Sequence, residues 1–270
     1  MTFTEMIYAS ELAKGKTTAL QLIDTHDSAT LTGIQLLVDR TAAKDNYGVD
    51  TLLRALEYLE TQSEQHPHWK NMRAIDLNFG CPSPGIIRRG AGPGQLRRRS
   101  KIRNIFATLD EWRRTTSLTH IQAVGAKIRL GANATEQYHK VYLPVVEAAA
   151  EHLDYVTVHA RHAKQKSRDA PTWDAITEVQ QAVQGSPLVV IGNGDARTPE
   201  DALKMMDHTQ CQGVMVGRGA MANPWWDHVP TNEEVLAGQA EYEAWSSSRP
   251  AYDRYRTFHE DNFERLIRGR

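Results

Sequence analysis

The sequence is poor in the features that mark secreted or membrane proteins. Its 270 residues include two cysteines, Cys81 and Cys211, and the first ten residues carry Glu5 before any apolar run and contain no basic cluster. We therefore expect no secretory signal peptide and no disulfide framework, but free thiols in a reducing, cytoplasmic location. The longest apolar stretches, such as 188–191, have the length of a strand and are too short to span a bilayer.

Acidic residues are missing from one stretch of an otherwise balanced chain. The formal net charge is −1, but no aspartate or glutamate occurs between Asp76 and Asp110. The second half of this stretch contains a run of basic residues: Arg88, Arg89, Arg97, Arg98, Arg99, Lys101 and Arg103. Such a run is either a solvated face or, because it follows Cys81 closely, a functional surface.

Two common catalytic patterns are also missing. No CxxC or His/Cys spacing indicates a zinc site, and no serine nucleophile motif occurs. The glycines of 90–94 do not follow a strand directly, so they predict a flexible loop rather than a dinucleotide site.

The pattern that is present is an alternation of short apolar runs with amphipathic helical segments, which predicts βα units and a parallel sheet. The expected strands are 2–6, 33–38, 74–79, 125–130, 155–159, 188–192 and 213–217. The expected helices are 50–62, 100–114, 136–152, 171–183 and one that is opened by Thr198 and Pro199. The pattern indicates an α/β protein of the TIM-type (β/α)8 class, with one strand too few for a closed barrel.

The pattern changes near residue 223. A stretch rich in proline, aspartate and asparagine leads into 235–270, which predicts two polar helices separated by 246–250. We therefore expect a barrel over residues 1–228 and a short helical tail over residues 229–270.

Three of the expected strands end in pairs of polar residues two positions apart. The pairs are Asp76 and Asn78, Lys127 and Arg129, and His159 and Arg161. Side chains at this spacing point to the same face of a strand, and the carboxyl ends of barrel strands form the reactive mouth. The pairs predict a polar pocket at the mouth, with buried structural salt links as the alternative.

Glycine turns follow the last two strands. The turns contain Gly194 and Gly217, and Arg218 adds a positive charge. Glycines let backbone N–H groups approach a phosphate closely, and the loops after strands seven and eight of such barrels commonly bind one. The turns predict a site for a phosphorylated cofactor or substrate, unless the glycines merely terminate the strands.

The two cysteines lie in different settings. Cys81 follows the strand 74–79 and stands between Gly80 and Pro82, which predicts an exposed thiol at the mouth. Cys211 directly precedes a strand and fits an inert core residue.

The chain resembles the tRNA-dihydrouridine synthases over roughly residues 2–228. The resemblance rests on segments in this order: TFTEM, GIQLL, DLNFGCPSP, AKIRLG, VTVHAR, IGNGDARTPEDA and GVMVGRGAMANPW. Other flavin barrels share the fold and the phosphate loops, but the NFGCP segment favours this family.

The resemblance implies an FMN cofactor at the barrel mouth that NADPH reduces. It also implies tRNA as the partner, with a hydride passing from the flavin to C6 of uracil and a proton passing from Cys81 to C5. Lys127 and His159 would complete the catalytic set. The residues that would hold the flavin are Gln35, Lys127, His159, Asn193, Gly194, Asp195, Gly217 and Arg218. Contacts to the substrate would come from Asn78, Arg129 and Arg161.

Two departures from the family pattern affect these expectations. The family's opening strand has no counterpart before Thr2, and the helical domain that grips tRNA is reduced to a remnant over 229–270. We expect the strands 2–6 and 213–217 to face each other across a gap. Three functions stay open: the enzyme, a degenerate barrel that binds RNA or a partner without catalysis, and a flavin reductase that acts on a small enone.

Overall fold

The protein is built on one parallel sheet. The computed structural model describes residues 1–23, 31–39, 46–222 and 231–247. The strands in this part of the chain are β1 (Thr2–Phe3), β2 (Ile7–Tyr8), β3 (Thr32–Leu37), β4 (Met72–Phe79), β5 (Ala123–Arg129), β6 (Tyr155–His159), β7 (Val189–Asn193) and β8 (Gly213–Met215). They pair in the order β1-β3-β4-β5-β6-β7-β8, and β2 also pairs with β3. This sequential parallel order is that of a (β/α)8 barrel, and it confirms the predicted fold class.

The sheet is open between its first and last strands. Within the described ranges, no ladder joins β1 or β2 to β8. The molecule is therefore a partial barrel; that the first and last strands face each other across a gap stays a prediction.

The first predicted strand, 2–6, is wrong in detail. The segment forms two short pieces, β1 and β2, which both pair in parallel with β3. Between them, Thr4 donates its backbone N–H to the carbonyl of Gly33, and its side-chain Oγ1 accepts the N–H of Gln35 at 3.1 Å. A side-chain hydroxyl thus replaces one rung of the ladder, which interrupts the strand.

Helices cover one face of the sheet. In the described residues they are α1 (Ala9–Leu12), α2 (Thr17–Ile23), α3 (Val49–Gln62), α4 (Pro84–Arg88), α5 (Arg99–Thr115), α6 (Ala134–Tyr138), α7 (Leu143–His152), α8 (Asp174–Ala182), α9 (Pro199–Thr209), α10 (Arg218–Ala222) and α11 (Asn232–Ser247). Four short 3₁₀ helices, Asn46–Gly48, Ser63–Gln65, Pro67–Asn71 and Gly92–Gln95, lie in the connections. Neighbouring long helices pack side by side from α3 to α9. None of the described helices is long and apolar enough to cross a membrane.

The predicted helix 136–152 is wrong, because the structure divides it into α6 and α7. Lys140 adopts a left-handed backbone conformation with φ of 49°, and Pro144 stands in the first turn of α7. Proline lacks the N–H that a continuous helix needs at this position, so a new helix begins there.

Two further expectations concern helix ends and the tail. Thr198 accepts the N–H of Asp201 and Asp201 accepts the N–H of Thr198, so the predicted start of α9 is confirmed as a capping box. The first predicted tail helix is present as α11, which starts at Asn232. The expected boundary at 228 and the segment 248–270 lie outside the described residues.

Side chains alternate along each strand between two environments. On β4, Ile75 and Leu77 are buried in the main core beneath the helices, whereas Asp76 and Asn78 lie on the opposite face. We call this opposite face the inner face. The other central strands repeat the pattern, so apolar burial stabilises one face while polar groups collect on the other.

Aromatic rings fill the amino-terminal end of the inner face. The ring of Tyr155 covers Gly125 on the neighbouring strand so closely that a Cβ atom there would lie 2.3 Å from it. Phe3 covers Gly33 in the same way, and its ring centroid is 6.3 Å from that of Tyr155. The two glycines thus make room for an aromatic floor beneath the polar groups.

Candidate active site at the carboxyl ends of the strands

The side chain of Asn78 holds the backbone of the loop that follows β4. Its Oδ1 atom accepts hydrogen bonds from the N–H groups of Gly80 and Cys81, both at 2.9 Å. A carboxamide that bonds the backbone two and three residues on stabilises a tight turn. The sequence predicts that Asn78 contacts uracil; that role stays a prediction, and the structure adds a second one, which is to position Cys81.

The thiol of Cys81 is free and half-buried at the end of β4. It packs, together with Met6 and Tyr8, against a small apolar cluster formed by Leu37, Ile86 and Ala91. Cys211 is 4 % exposed and belongs to the main core, which confirms its predicted structural setting.

Gln35 and Asp76 lie behind Asn78 and are hydrogen-bonded to it in series. Gln35 donates from Nε2 to Asp76 Oδ2 at 2.7 Å and accepts from Asn78 Nδ2 at 2.6 Å. Burial raises the pKa of Asp76 to about 6, against the hydrogen bond from Gln35 and the positive charge of Lys127. Both ends of the Gln35 carboxamide are thus engaged, and its predicted contact with a flavin stays a prediction.

Lys127 connects β5 to β7 across the inner face. Its Nζ atom donates to Asn193 Oδ1 at 3.0 Å, and Asn193 donates from Nδ2 to the carbonyl of Met215 on β8 at 2.7 Å. Burial, with the charge of Arg129, lowers the pKa of Lys127 to about 8, and Asp76 opposes this shift. Lys127 therefore carries a positive charge at neutral pH that is easily lost.

Arg129 spans the loops after β4 and β6. It donates from Nε to the carbonyl of Gly80 at 2.7 Å and from Nη1 to the carbonyl of His162 at 3.4 Å. Burial and the charge of Arg161 lower the pKa of Arg129 to about 10, and the nearby thiol of Cys81 opposes the shift. The guanidinium stays charged at neutral pH, so a cation lies beside Cys81.

His159 lies half-buried among positive charges. Burial lowers its pKa to about 2, and the surrounding cations Lys127, Arg129, Arg161 and Arg218 add to the shift. The imidazole is therefore neutral at physiological pH and offers one donor and one acceptor instead of a charge.

Arg161 forms a buried ion pair. The side chain is 2 % exposed, and its two terminal nitrogens donate to the carboxylate of Asp195 at 3.1 and 2.6 Å. Its Nε atom donates to the carbonyl of Asp169 at 2.7 Å. These contacts tie the loop 162–170 to the turn after β7, and the predicted contact of Arg161 with substrate stays a prediction.

Asp195 occupies the centre of the glycine turn after β7. It has a left-handed backbone with φ of 61°, and it follows Gly194 with φ of 130°. Its carboxylate contacts Arg161 and Arg218. Burial alone would raise the pKa of Asp195, but the hydrogen bonds from Arg161 and the charges of both arginines hold the pKa below its usual value.

The turns after β7 and β8 meet at the rim. A Cβ atom on Gly219 would lie 2.7 Å from the carbonyl oxygen of Arg197, so the glycine lets the two turns touch. A Cβ atom on Gly217 would meet no atom within 4 Å. Arg218, whose side chain is 49 % exposed, stands between these glycines. The predicted phosphate residues are thus together at one corner of the inner face, next to open space.

Sequence reasoning missed Tyr155 and Trp173. Trp173 donates from Nε1 to the carbonyl of Gly194 at 2.9 Å and so supports the glycine turn. The hydroxyl of Tyr155 faces Asp76, and burial and the charge of this carboxylate raise the tyrosine pKa. The Tyr155 hydroxyl acts on the Asp76 carboxylate as a hydrogen-bond donor, although this contact does not have normal hydrogen-bond geometry. Neither contact has a local sequence signal, because each depends on a neighbouring strand or loop.

Arg88 and Arg89 of the basic run lie at the end of α4, and its other members lie on the loop before α5 and on the first turns of that helix. Arg97 pairs with Glu136 at 3.0 Å, and Arg103 pairs with Glu151. Arg98 and Arg99 are exposed, and no ion pair of theirs occurs within the described ranges. The run is therefore neutralised in part.

The electrostatics of His159 predict a dependence of stability on pH. In the unfolded chain this histidine takes up a proton below pH 6.5, whereas in the folded protein it stays neutral down to about pH 2. The unfolded state therefore binds more protons in this window, and stability falls as the pH falls. Relative to His159→Gln, the wild-type free energy of unfolding should drop by about 1 kcal/mol per pH unit below pH 6.5.

Denaturant unfolding of both proteins between pH 6.5 and about pH 4.5 measures this difference. His208→Gln is the control, because His208 is exposed on α9 and bonds Asp174 on the outer surface. Identical pH slopes for the wild type and His159→Gln would contradict a neutral His159.

Comparison with known proteins supports the resemblance seen in the sequence. The sequence profile of the dihydrouridine synthase (Dus) family matches residues 57–261. A probable tRNA-dihydrouridine synthase of Mycobacterium leprae is 38% identical over 151 residues, which cover 56% of this chain and 37% of that protein. The human tRNA-dihydrouridine(47) synthase (NAD(P)(+))-like protein is 24% identical over 272 residues, 96% of this chain and 38% of that protein.

Among solved structures, histamine dehydrogenase from Rhizobium sp. 4-9 is similar in fold, with a TM-score of 0.56 and 14% identity over 83% of this chain and 40% of that one. The chain spans less than half the length of these relatives. Since the family profile covers more than half of the sequence and includes the Cys81 loop and both glycine turns, the chain belongs to the dihydrouridine synthase family.

Proposed function

We propose that this chain carries the catalytic barrel for flavin-dependent reduction of uridine to dihydrouridine in tRNA. The observation that carries the proposal is the placement of Cys81. Its loop is held by Asn78, and the charged guanidinium of Arg129 lies beside the thiol. Protonation of a carbon atom requires an acid that is fixed in place, and a nearby cation stabilises the anion that the acid becomes.

The corner formed by the two glycine turns fits the phosphate of FMN. Open space next to Gly217 and the half-exposed Arg218 support this fit. Asn193, Gly194 and Asp195 would hold the ribityl chain and phosphate, and Gln35, Lys127 and His159 would border the flavin ring. When bound, FMN that NADPH has reduced supplies a hydride to C6 of the uracil.

The chain's own residues supply the proton. The Cys81 Sγ–H bond breaks as a C–H bond forms at C5, so one hydride and one proton saturate the C5–C6 double bond. The thiolate that remains lies beside Arg129, whose positive charge stabilises it until solvent returns a proton. Lys127 holds a positive charge where negative charge develops on the ring, and His159 offers a hydrogen bond without adding charge.

One contact favours the alternative of a barrel that keeps the fold without catalysis. Asp195 contacts Arg218, so a carboxylate already neutralises part of the charge that a phosphate needs. The choice between the two readings depends on whether FMN binds at this corner.

Transfer RNA is the proposed partner. Because tRNA is the partner, we also propose that the protein is located in the cytoplasm. Arg98 and Arg99 are exposed at the start of α5 and offer charge to a phosphate backbone. Since the chain spans only part of its relatives' length, binding of tRNA by the whole protein is also a proposal.

The first test concerns the proton donor. Cys81→Ala should lower the rate of dihydrouridine formation by about 10²–10⁴-fold, because general acid catalysis contributes that much. NADPH should still reduce bound flavin at the wild-type rate. Quantifying dihydrouridine in treated tRNA and following flavin absorbance measure both steps. Cys211→Ala removes a thiol from the core and serves as the control; a Cys81→Ala protein as fast as wild type would remove Cys81 from the mechanism.

The second test concerns the cofactor. Arg218→Ala should lose FMN while the circular dichroism spectrum stays native, because a charge-assisted contact to phosphate contributes about 1.5–3 kcal/mol. The matched control is Arg103→Ala, since Arg103 is similarly exposed and ion-paired but lies on the outer helix α5. Full flavin occupancy in Arg218→Ala would refute the phosphate site, and wild-type protein free of flavin would favour the non-catalytic alternative.

The third test concerns RNA. Binding of tRNA should weaken with salt, and the double variant Arg98→Gln/Arg99→Gln should reduce the slope of log Kd against log salt by roughly one per charge. Lys70→Gln/Lys204→Gln removes two exposed charges away from the Cys81 loop and should leave the slope unchanged. If the slope of log Kd against log salt is the same for both double variants and the wild type, Arg98 and Arg99 do not contact tRNA and are part of the solvated surface.

A further inference from the structure

A continuous chain of side-chain hydrogen bonds runs from the buried floor of the inner face to the Cys81 loop. It begins at Asp76 Oδ2, which accepts from Gln35 Nε2 at 2.7 Å. Gln35 Oε1 accepts from Asn78 Nδ2 at 2.6 Å. Asn78 Oδ1 then accepts the N–H groups of Gly80 and Cys81. Two carboxamide side chains, each 9 % exposed, thus join a fully buried carboxylate to the loop that holds the thiol.

The carboxylate gives this chain its direction. A carboxamide can present either its oxygen or its NH₂ group to a neighbour, but an ionised carboxylate only accepts. Asp76 therefore turns the NH₂ group of Gln35 towards itself. The oxygen of Gln35 then faces Asn78 and accepts a hydrogen bond from its NH₂ group. The Asn78 oxygen is then the atom that faces the loop. In the reverse orientation an NH₂ group would meet two backbone N–H donors.

Asp76 is a costly way to stabilise the fold. It is fully buried, and burial raises its pKa to about 6 in spite of the hydrogen bond from Gln35, the charge of Lys127 and the Tyr155 hydroxyl that faces it. An apolar residue of similar size would avoid the cost of burying a carboxylate. The position of Asp76 therefore favours a role in ordering the site over a role in stability.

We propose that Asp76 is a positioning residue, which sets the geometry of the Cys81 loop through the carboxamides of Gln35 and Asn78. The proposal rests on the proposed function in one respect: the geometry of the loop matters for catalysis because Cys81 is the proton donor in that function. The positioning itself concerns the loop backbone, and it is measured without cofactor or substrate.

Hydrogen exchange of the Gly80 and Cys81 amides tests the positioning, because both N–H groups end the chain. Asp76→Leu removes the acceptor and should speed their exchange roughly five- to tenfold, as expected for the loss of one hydrogen bond. Asp76→Asn keeps the shape but can present its NH₂ group to Gln35, so it no longer imposes the direction and should speed the same exchange by a smaller factor than Asp76→Leu. Thr157→Val is the matched control, since it removes a buried hydroxyl that has no hydrogen bond within the described residues, on the same face.

Gln35→Met breaks the chain in the middle and supplies a second variant if Asp76→Leu does not fold. It should raise the exchange rates of the Gly80 and Cys81 amides by the same factor as Asp76→Leu. Adding Asp76→Leu to Asn78→Ala should cause no further increase, because Asn78→Ala already removes the end of the chain. Wild-type exchange in Gln35→Met, full additivity in the double variant, or equal acceleration in Thr157→Val would each overturn the proposal.

A kinetic measurement separates this proposal from the proposed function. Asp76→Leu should lower kcat for dihydrouridine formation and leave NADPH-driven flavin reduction unchanged, and Asp76→Asn should lower kcat by a smaller factor. If the wild-type protein forms no dihydrouridine, the proposed function fails while the exchange data still decide the positioning. If the wild type is active and Asp76→Leu keeps its full kcat, the positioning proposal fails and the function stands.

Discussion

The alternation of side chains along parallel strands is the constraint on which the site depends. Each central strand faces the helices with apolar residues and faces the opposite side with polar ones, as Leu77 and Asn78 do on β4. Apolar burial beneath the helices contributes the stability that permits polar groups on the inner face. Because the backbone ladder fixes register, Asn78 lies beside Lys127, and Arg129 lies beside His159. The positions of the polar groups thus follow from the sheet and need no further folding step.

An excess of positive charge defines the chemistry of the inner face. Lys127, Arg129 and Arg161 lie close together, and Asp76 and Asp195 compensate them in part. Positive groups held by the fold need no reorganisation when negative charge develops on a substrate. Burial, together with these positive charges, keeps the imidazole of His159 neutral. The inner face therefore favours an anionic cofactor or a reaction in which an electron-poor ring gains electrons.

The site consists of two halves that internal hydrogen bonds connect. One half is the Cys81 loop, and the other is the glycine turn that is centred on Asp195. Arg129 donates to carbonyls of the loops after β4 and β6, and Arg161 joins the latter loop to Asp195. Both arginines use backbone carbonyls as acceptors, and Arg161 also depends on the carboxylate of Asp195. Such support keeps reacting groups in place before a ligand arrives.

Local patterns in the sequence were sufficient for the central strands, for the long helices α3, α5, α8 and α9, and for the list of polar residues at the strand ends. They located β6 to the residue and the cap of α9 correctly, because apolar runs and capping residues act within a few positions. The break between α6 and α7 was missed because helical periodicity outweighed the effect of Pro144.

The sequence by itself determined which residues form the inner face, since side-chain alternation is a local property of a strand. The tertiary structure decided what those residues do there. Arg161 is a buried clamp on Asp195, and Asn78 is the support of Cys81, because their partners come from other strands and loops. Hydrogen-bond partners across a sheet depend on register and on loop conformation, and no short segment of sequence contains that information.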